Sequence, residues 1–216
     1  DIPDQELVDS WLPQRNPYIP YVLEPGQNFT VGNIGPNEYT MELRWYMYEA
    51  MQRAKEVIKN VDKEYEKISG RSYGGLVEHY RTSDAKYLAI TMGAWSGDAK
   101  EAIDRLRDEG IPIGLLRIRF IRPFPIEELR AIASSVKSIL VIDRAMSMGY
   151  WGVLGIEITS AVRDLIPTKN VIAGLGGVDV GVDDFVKIMM KYVDETEQGE
   201  LSGLTKVEWY MPWFRR

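Results

Sequence analysis

The chain has 216 residues, 45% of them hydrophobic, with 26 Lys and Arg against 32 Asp and Glu for a net charge of −6. That length allows one decorated domain or two small ones, and the acidic balance argues against nucleic acid and anionic membranes as partners. The absence of cysteine excludes disulfides and thiolate-held zinc or iron–sulfur clusters within the chain. No apolar run reaches the roughly 20 residues of a membrane helix. A cytoplasmic protein fits these totals. The chain opens on Asp1 with no helix cap or strand before Ile2, which gives the expectation of a fragment or a trimmed product.

Residues 1–36 carry Pro3, Pro13, Pro17, Pro20, Pro25 and Pro36 together with Trp11, Tyr18, Tyr21 and Phe29. Prolines at that density prevent a long helix and disfavour a central strand, while the rings are too many for a solvated linker. The expectation is an extended arm held to another surface by its aromatics. Residues 37–70 change period. Met47, Met51, Ala54, Ile58, Val61, Tyr65 and Ile68 step by four and three, the seam of one long helix with Gly70 as its stop. The seam suits either a helix packed on its own domain or a strut between subunits. Residues 71–85, with Gly74-Gly75 and the single histidine, His79, read as a polar connector, and His79 as a surface or packing side chain.

Residues 86–195 alternate strand and helix. Tyr87–Met92 and residues 113–120, 138–142 and 171–173 are short apolar runs, read as strands buried on both faces. Between them, residues 99–109 (capped by Asp98), 126–134 (behind Pro125), 152–165 (Val153, Ile156, Ala161 and Leu165 inward) and 182–193 read as helices. The pattern predicts an α/β fold of three layers, with a mainly parallel sheet covered on both faces and an arm and long helix ahead of it. Residues 196–216 form a tail, acidic at first and then aromatic. Its stretch from Trp209 to Phe214 is expected to dock on a neighbouring chain.

In such a sheet the working crevice lies beyond the carboxyl ends of the strands, which puts the loop after residues 138–142 first. Asp143-Arg144 fits a charge pair that fixes the loop, or a carboxylate and a guanidinium offered to a ligand or partner. Met146 and Met148 flank Ser147 beside Tyr150-Trp151, which suits an adaptable protein surface. Ser147 lacks the G-x-S-x-G elbow of a nucleophile. Arg117, Arg119 and Arg122 alternate with apolar residues, as at an edge or interface where arginines meet carboxylates. The candidate interface residues are therefore Arg122, Asp143, Arg144, Met146, Ser147, Met148 and Trp151. Gly93-x-x-x-Gly97 follows a strand and opens a helix, as a phosphate cradle would, but it lacks the P-loop Lys-Ser/Thr and has Trp95 in its middle. Gly174-x-Gly176-Gly177 reads as tight backbone geometry. No grouping supplies nucleophile, base and orienting partner, so the sequence assigns no catalytic residue and no metal ligand, and it leaves cofactor contacts open.

Taken in series, five motifs resemble the alpha subunit of pyruvate:ferredoxin oxidoreductases and, more broadly, the 2-oxoacid:ferredoxin oxidoreductase family. They are Tyr80-Arg81-Thr82-Ser83-Asp84-Ala85, Thr91-Met92-Gly93, Arg119-Phe120-Ile121-Arg122-Pro123-Phe124-Pro125, Asp143-Arg144-Ala145-Met146-Ser147-Met148-Gly149 and Gly174-Leu175-Gly176-Gly177-Val178-Asp179-Val180. The resemblance begins at Ile2-Pro3-Asp4-Gln5-Glu6 and runs to Val193. It implies the second domain of the alpha subunit, similar to the transketolase C-terminal domain, with the pyrimidine-binding domain and the thiamine-diphosphate-binding subunit as partners. It implies oxidative decarboxylation of a 2-oxoacid, pyruvate in the first instance, to an acyl-CoA, with electrons passed to ferredoxin. Thiamine diphosphate, magnesium and iron–sulfur clusters are then expected in the complex and none in this chain, which serves as scaffold and is inactive alone. Ferredoxin and coenzyme A are partners at the level of the complex; no nucleic acid or membrane is. Ala94-Trp95-Ser96-Gly97-Asp98 departs from the family's more usual Ser-x-x-Gly-Thr, which counts against an anion role there. Two other readings stay open: the C-terminal domain of another thiamine enzyme (a 2-oxoacid dehydrogenase or transketolase-like protein), and a free-standing nucleotide-binding protein.

Overall fold

Apolar runs that alternate with amphipathic helices leave little choice of architecture, and the chain adopts it in residues 73–216, one of its two units. Residues 1–72 form the other. The structure, a computed structural model, describes residues 2–12, 25–26, 32, 34–201 and 207–214.

In the first unit, α1 (Gln5–Trp11) occupies part of the expected extended arm. Pro3 and Pro13 bracket a proline-free stretch, and Asp4 caps it by accepting the Leu7 N–H at 2.8 Å. Most of the remaining arm lies outside the described residues. α2 (Asn37–Ser69) runs 33 residues, about 50 Å at 1.5 Å per residue. Gly70 ends it at φ 72°, donating its N–H to the Glu66 carbonyl. The Trp11 ring lies 5.5 Å from that of Tyr65, so α1 packs on the C-terminal part of the seam. No residue of α2 is buried, and Trp45, Tyr46, Met47 and Tyr48 are each more than half exposed.

The second unit runs β1 (Val77–Tyr80), β2 (Tyr87–Met92), α3 (Ser96–Asp108), β3 (Ile113–Ile118), α4 (Ile126–Ala133), β4 (Ser138–Asp143), α5 (Val153–Val162), β5 (Thr168–Ile172), α6 (Val182–Glu197) and β6 (Glu208–Trp209). The sheet order is β1-β3-β2-β4-β5-β6. β1 is antiparallel to β3 and every other pairing is parallel. The chain steps from β2 outward to β3, then crosses back to lay β4 on the other side of β2. The carboxyl ends of β2 and β4 therefore flank the topological switch point, where a crevice forms.

Tyr87, Ala89, Leu140 and Ile142 join Phe185, Ile188, Met189 and Tyr192 in one core under α3 and α6. The intervening Leu88, Ile90, Ile139 and Val141 are equally buried and, by the period of two, face the opposite layer, where α4 packs on α5. Burial on both faces explains the unbroken apolar runs. Each fully buried large side chain contributes about 1.5–3 kcal/mol.

Several elements differ from the sequence reading, each for a local reason. The connector 71–85 contains β1, whose register runs from Val77 opposite Ile118 to Tyr80 opposite Leu115. As an edge strand with Glu78 and His79 at its centre, it shows no apolar run. α3 begins at Ser96, so Asp98 lies in its first turn and is not its cap. α5 is rotated from the expected phase: Leu154, Ile158, Ala161 and Val162 are buried, while Val153 and Leu165 are exposed. The tail's backbone at Trp209 docks on the chain's own sheet, while the Trp209, Trp213 and Phe214 rings stay exposed. β6 pairs Glu208 with Val171 and Trp209 with Ile172 on the chain's own sheet, and the Tyr210 N–H donates to the Ile172 carbonyl at 2.9 Å. Lys169, almost wholly buried, bridges Glu195 of α6 and Glu208 of β6, which explains why the tail docks there.

Candidate functional site

β4 ends on a carboxylate that the fold uses internally. Asp143 is 4% exposed. Its Oδ2 accepts the Gly155 N–H at 2.7 Å and its Oδ1 the Leu154 N–H at 3.2 Å. Asn170 Nδ2 donates to Oδ2 at 3.1 Å and to the Val141 carbonyl at 3.2 Å, while Asn170 Oδ1 accepts the Gly152 N–H at 2.8 Å. The first turn of α5 is thus pinned to β4 and β5 by one buried polar network. Gly152 and Gly155 make it possible: a Cβ would lie 2.2 Å from Asp143 Oδ2 at the first and 2.5 Å from Asn170 at the second. Burial pushes the Asp143 carboxyl up, against the opposing pull of the three groups that donate to it.

The next residue turns the other way. Arg144 is exposed and lies over the face of Trp95, with 5.1 Å from guanidinium carbon to ring centroid. Trp95 is itself buried and meets Phe185 edge-on at 5.4 Å. Beyond Arg144 the loop turns back on itself. Ser147 N–H donates to the Trp151 carbonyl at 2.8 Å and Tyr150 N–H to the Ser147 carbonyl at 2.9 Å, with Gly149 at φ 75°. Met148 at the tip is 96% exposed, and Trp151 tucks inward at 5%.

Trp95, Asp98, Arg144, Gly177, Val178 and Asp179 line a crevice of about 260 Å³ at the switch point. Gly174 holds φ 65° and Gly177 φ 85° in the loop between β5 and α6. A larger cleft of about 440 Å³ opens beside Thr159, Arg163 and Leu201. It sits at the amino end of β5, and Leu201 borders residues outside the described set, so the crevice at the carboxyl ends is the candidate site.

The structure brings only part of the expected interface set to one surface. Asp143 and Trp151 are interior in this chain, 4% and 5% exposed. Asp143 and Arg144 form no charge pair, because Asp143 closes β4 on three interior donors while Arg144, just past the strand, lies over Trp95. Arg122 is spent on Glu157, with bonds of 2.6 and 2.9 Å. Arg144 faces the crevice and Met148 tops its loop, with Met146 and Ser147 half-buried behind. Trp95, Asp98, Gly174 and Asp179 belong to the site and escaped the sequence reading as a group. Their one shared signal is position, each lying just past a strand end. His79, on the edge strand, sits with Nδ1 3.0 Å from Thr82 Oγ1.

The residues present do not fit the redox groups of such chemistry. Iron–sulfur clusters need thiolates, and the chain has no cysteine. A diphosphate does not fit the β2–α3 turn, because the Trp95 ring fills its floor and Asp98 adds negative charge to the crevice. Among the described residues, no three His, Asp or Glu side chains group as metal ligands would.

Comparison with known proteins places this architecture. Residues 85–185 match the family described as pyruvate:ferredoxin oxidoreductase core domain II. The chain is 37% identical to the pyruvate synthase subunit PorA of Methanothermobacter thermautotrophicus over 180 residues, 83% of this chain and 46% of that protein. It is 40% identical to the ketoisovalerate oxidoreductase subunit VorA of Pyrococcus horikoshii over 212 residues, 95% and 52% of the two chains. The chain is similar to the pyruvate:ferredoxin oxidoreductase family, whose core domain II its residues 85–185 match. A third relative, the pyruvate synthase subunit PorA of Methanocaldococcus jannaschii, is 39% identical over 91% of this chain and 50% of its own length. The chain spans about half the length of the curated relatives it matches. Core domain II covers β2 to the first turn of α6 and so contains every residue that lines the crevice.

Proposed function

We propose that this chain is the assembly-forming second domain of the alpha subunit of a thiamine-diphosphate-dependent 2-oxoacid:ferredoxin oxidoreductase, similar in role to a transketolase C-terminal domain. The whole complex converts a 2-oxoacid, coenzyme A and oxidised ferredoxin to acyl-CoA, CO2 and reduced ferredoxin. The observation that carries this reading is identity of 37–40% to PorA and VorA subunits over most of the chain. The crevice agrees with it, since Arg144, Asp98 and Asp179 offer charge to a partner, while Asp143, the one buried carboxylate among the described residues, is engaged in holding α5. Catalytic groups, thiamine diphosphate, magnesium and iron–sulfur clusters belong to other domains and subunits in this reading. The pyrimidine-binding domain and the thiamine-binding subunit are the neighbours, and the cytoplasm is the compartment. Among the described residues no helix is long and apolar enough to cross a membrane.

Pyruvate is the substrate we assign, from the family description. The VorA relatives, at 39–40% identity, favour ketoisovalerate as the second reading. The test is to purify the complex through a tag on this chain and to follow ferredoxin reduction with each acid and coenzyme A. Activity with pyruvate is expected, from the complex and not from the chain alone. Preference for ketoisovalerate would select the second reading. Electron delivery to a flavin or nicotinamide in place of ferredoxin would assign the chain to another class of thiamine enzyme.

A further inference from the structure

We propose that the crevice at the carboxyl ends of β2 and β4 receives a segment of a neighbouring subunit that carries a carboxylate beside a basic side chain. This rests on the reading of the chain as a subunit and names the chemistry of its contact.

The first observation is an arginine held ready and left unmatched. Arg81, Arg107, Arg117, Arg122 and Arg130 each meet a carboxylate of this unit, at 2.7, 2.7, 3.2, 2.6 and 2.8 Å. Among the described residues Arg144 has no ion pair; its one partner is the Trp95 ring. The indole is a fixed shelf, buried and braced by Phe185. Gly174 completes the setting, because a Cβ there would stand 3.3 Å from Arg144 Nε and 3.4 Å from the Trp95 ring. The contact with the indole holds the guanidinium beside the ring and leaves its fork of N–H donors to a carboxylate.

The second observation is the sign of the other lining charges. Asp98 and Asp179 share the crevice with Arg144, and among the described residues neither has an ion pair. A lone anion would meet Arg144 and also two carboxylates; a lone cation would meet the carboxylates and also Arg144. A group that carries both signs satisfies all three. Val178 in the lining and Leu175 beside it are partly exposed and give such a group an apolar shoulder. The volume, about 260 Å³, lies below the ~300–1,000 Å³ of small-molecule pockets and suits one or two side chains of a polypeptide.

The test uses the purified complex. Association of this chain with the other subunits is measured at two salt concentrations for wild type, Arg144→Gln, and Asp98→Asn with Asp179→Asn. Both variants are expected to weaken association about tenfold and to flatten its salt dependence. Amide exchange should show residues 174–179 protected on assembly in wild type. Unchanged association in both variants, with no protection, would overturn the proposal while leaving the subunit reading intact. Failure of the wild-type chain to associate with any other subunit would overturn both. A rise in melting temperature with inorganic phosphate or pyrophosphate, lost in Arg144→Gln, would give the crevice to a small anion and overturn the partner assignment.

Discussion

Asp143 and Arg144 are adjacent in sequence and divided in role, one oxygen pair turned into the protein and one guanidinium turned out. Removing the first leaves the Leu154 and Gly155 N–H groups and Asn170 buried without their acceptor. Asp143→Ala is expected to cost about 2–4 kcal/mol of unfolding free energy, read by denaturant titration. The pH dependence has a definite sign. Burial raises the Asp143 carboxyl above its ordinary 3.8, so between that value and the folded one the native state holds more protons than the unfolded state. Its contribution to stability therefore declines as pH rises through the folded value, and Asp143→Asn should remove that slope. The sequence marks Asp143 only as a polar residue closing an apolar run. Its partner Asn170 lies on the next strand, and no local spacing joins the two. Arg144 was legible as exposed at a strand end, but its shelf, Trp95, comes from another loop.

At the scale of elements, β6 and α2 present opposite cases. β6 is a two-residue strand held by charge. Burial alone would raise the Glu208 carboxyl, yet Lys169 and Lys191 outweigh it and hold the group below its ordinary 4.5. Glu208 thus stabilises the docked strand above that value, and the gain is lost as pH falls through the depressed one. Glu208→Gln is expected to loosen the strand by about 1–2 kcal/mol at neutral pH, seen as faster amide exchange at Trp209 and Tyr210. Tyr210 reinforces the dock. Its hydroxyl donates to Asp184 at 2.6 Å, and burial with that carboxylate pushes it up to about 12. The density of rings foretold that the tail would dock; the surface it chose depended on lysines in β5 and α6, which no pattern in the tail contains. α2 keeps its rings exposed. Replacing Trp45 with Ala and Met47 with Glu should leave the unfolding of residues 73–216 unchanged within about 0.5 kcal/mol while reducing recovery of the other subunits in a pull-down. The seam and its Gly70 stop were readable from periodicity and glycine conformation.

For the whole molecule, the legible part of the fold is the part buried on two faces. Strands β2 to β4 and the helices between them follow from apolar runs and their spacing, because both faces of a covered central strand are apolar. β5 starts at Thr168, three residues before the apolar run read at 171–173: Thr168, Lys169 and Asn170 are polar yet buried, and the partners of Lys169 and Asn170 lie on other elements, where no sequence pattern shows them. The edges were not legible. β1 and β6 each have one strand neighbour and carry polar residues, so their sequences resemble connectors. Among the described residues the core runs from Leu76 to Tyr192, and residues 73–216 are accordingly expected to fold by themselves with one cooperative transition, followed by circular dichroism on that segment alone.

β6 has one more consequence, for how the chain is made. β5 precedes β6 in order of synthesis, so its outer row of N–H and C=O groups has no strand neighbour until residues 208–209 have been made. Through that interval the growing chain presents a strand edge that any extended segment nearby can join. Lys169, on that edge strand, lacks Glu208 for the same interval, and a buried-side lysine short of one carboxylate gives a chance visitor without acidic residues a poor fit. The late strand is therefore selected by charge from the moment it arrives.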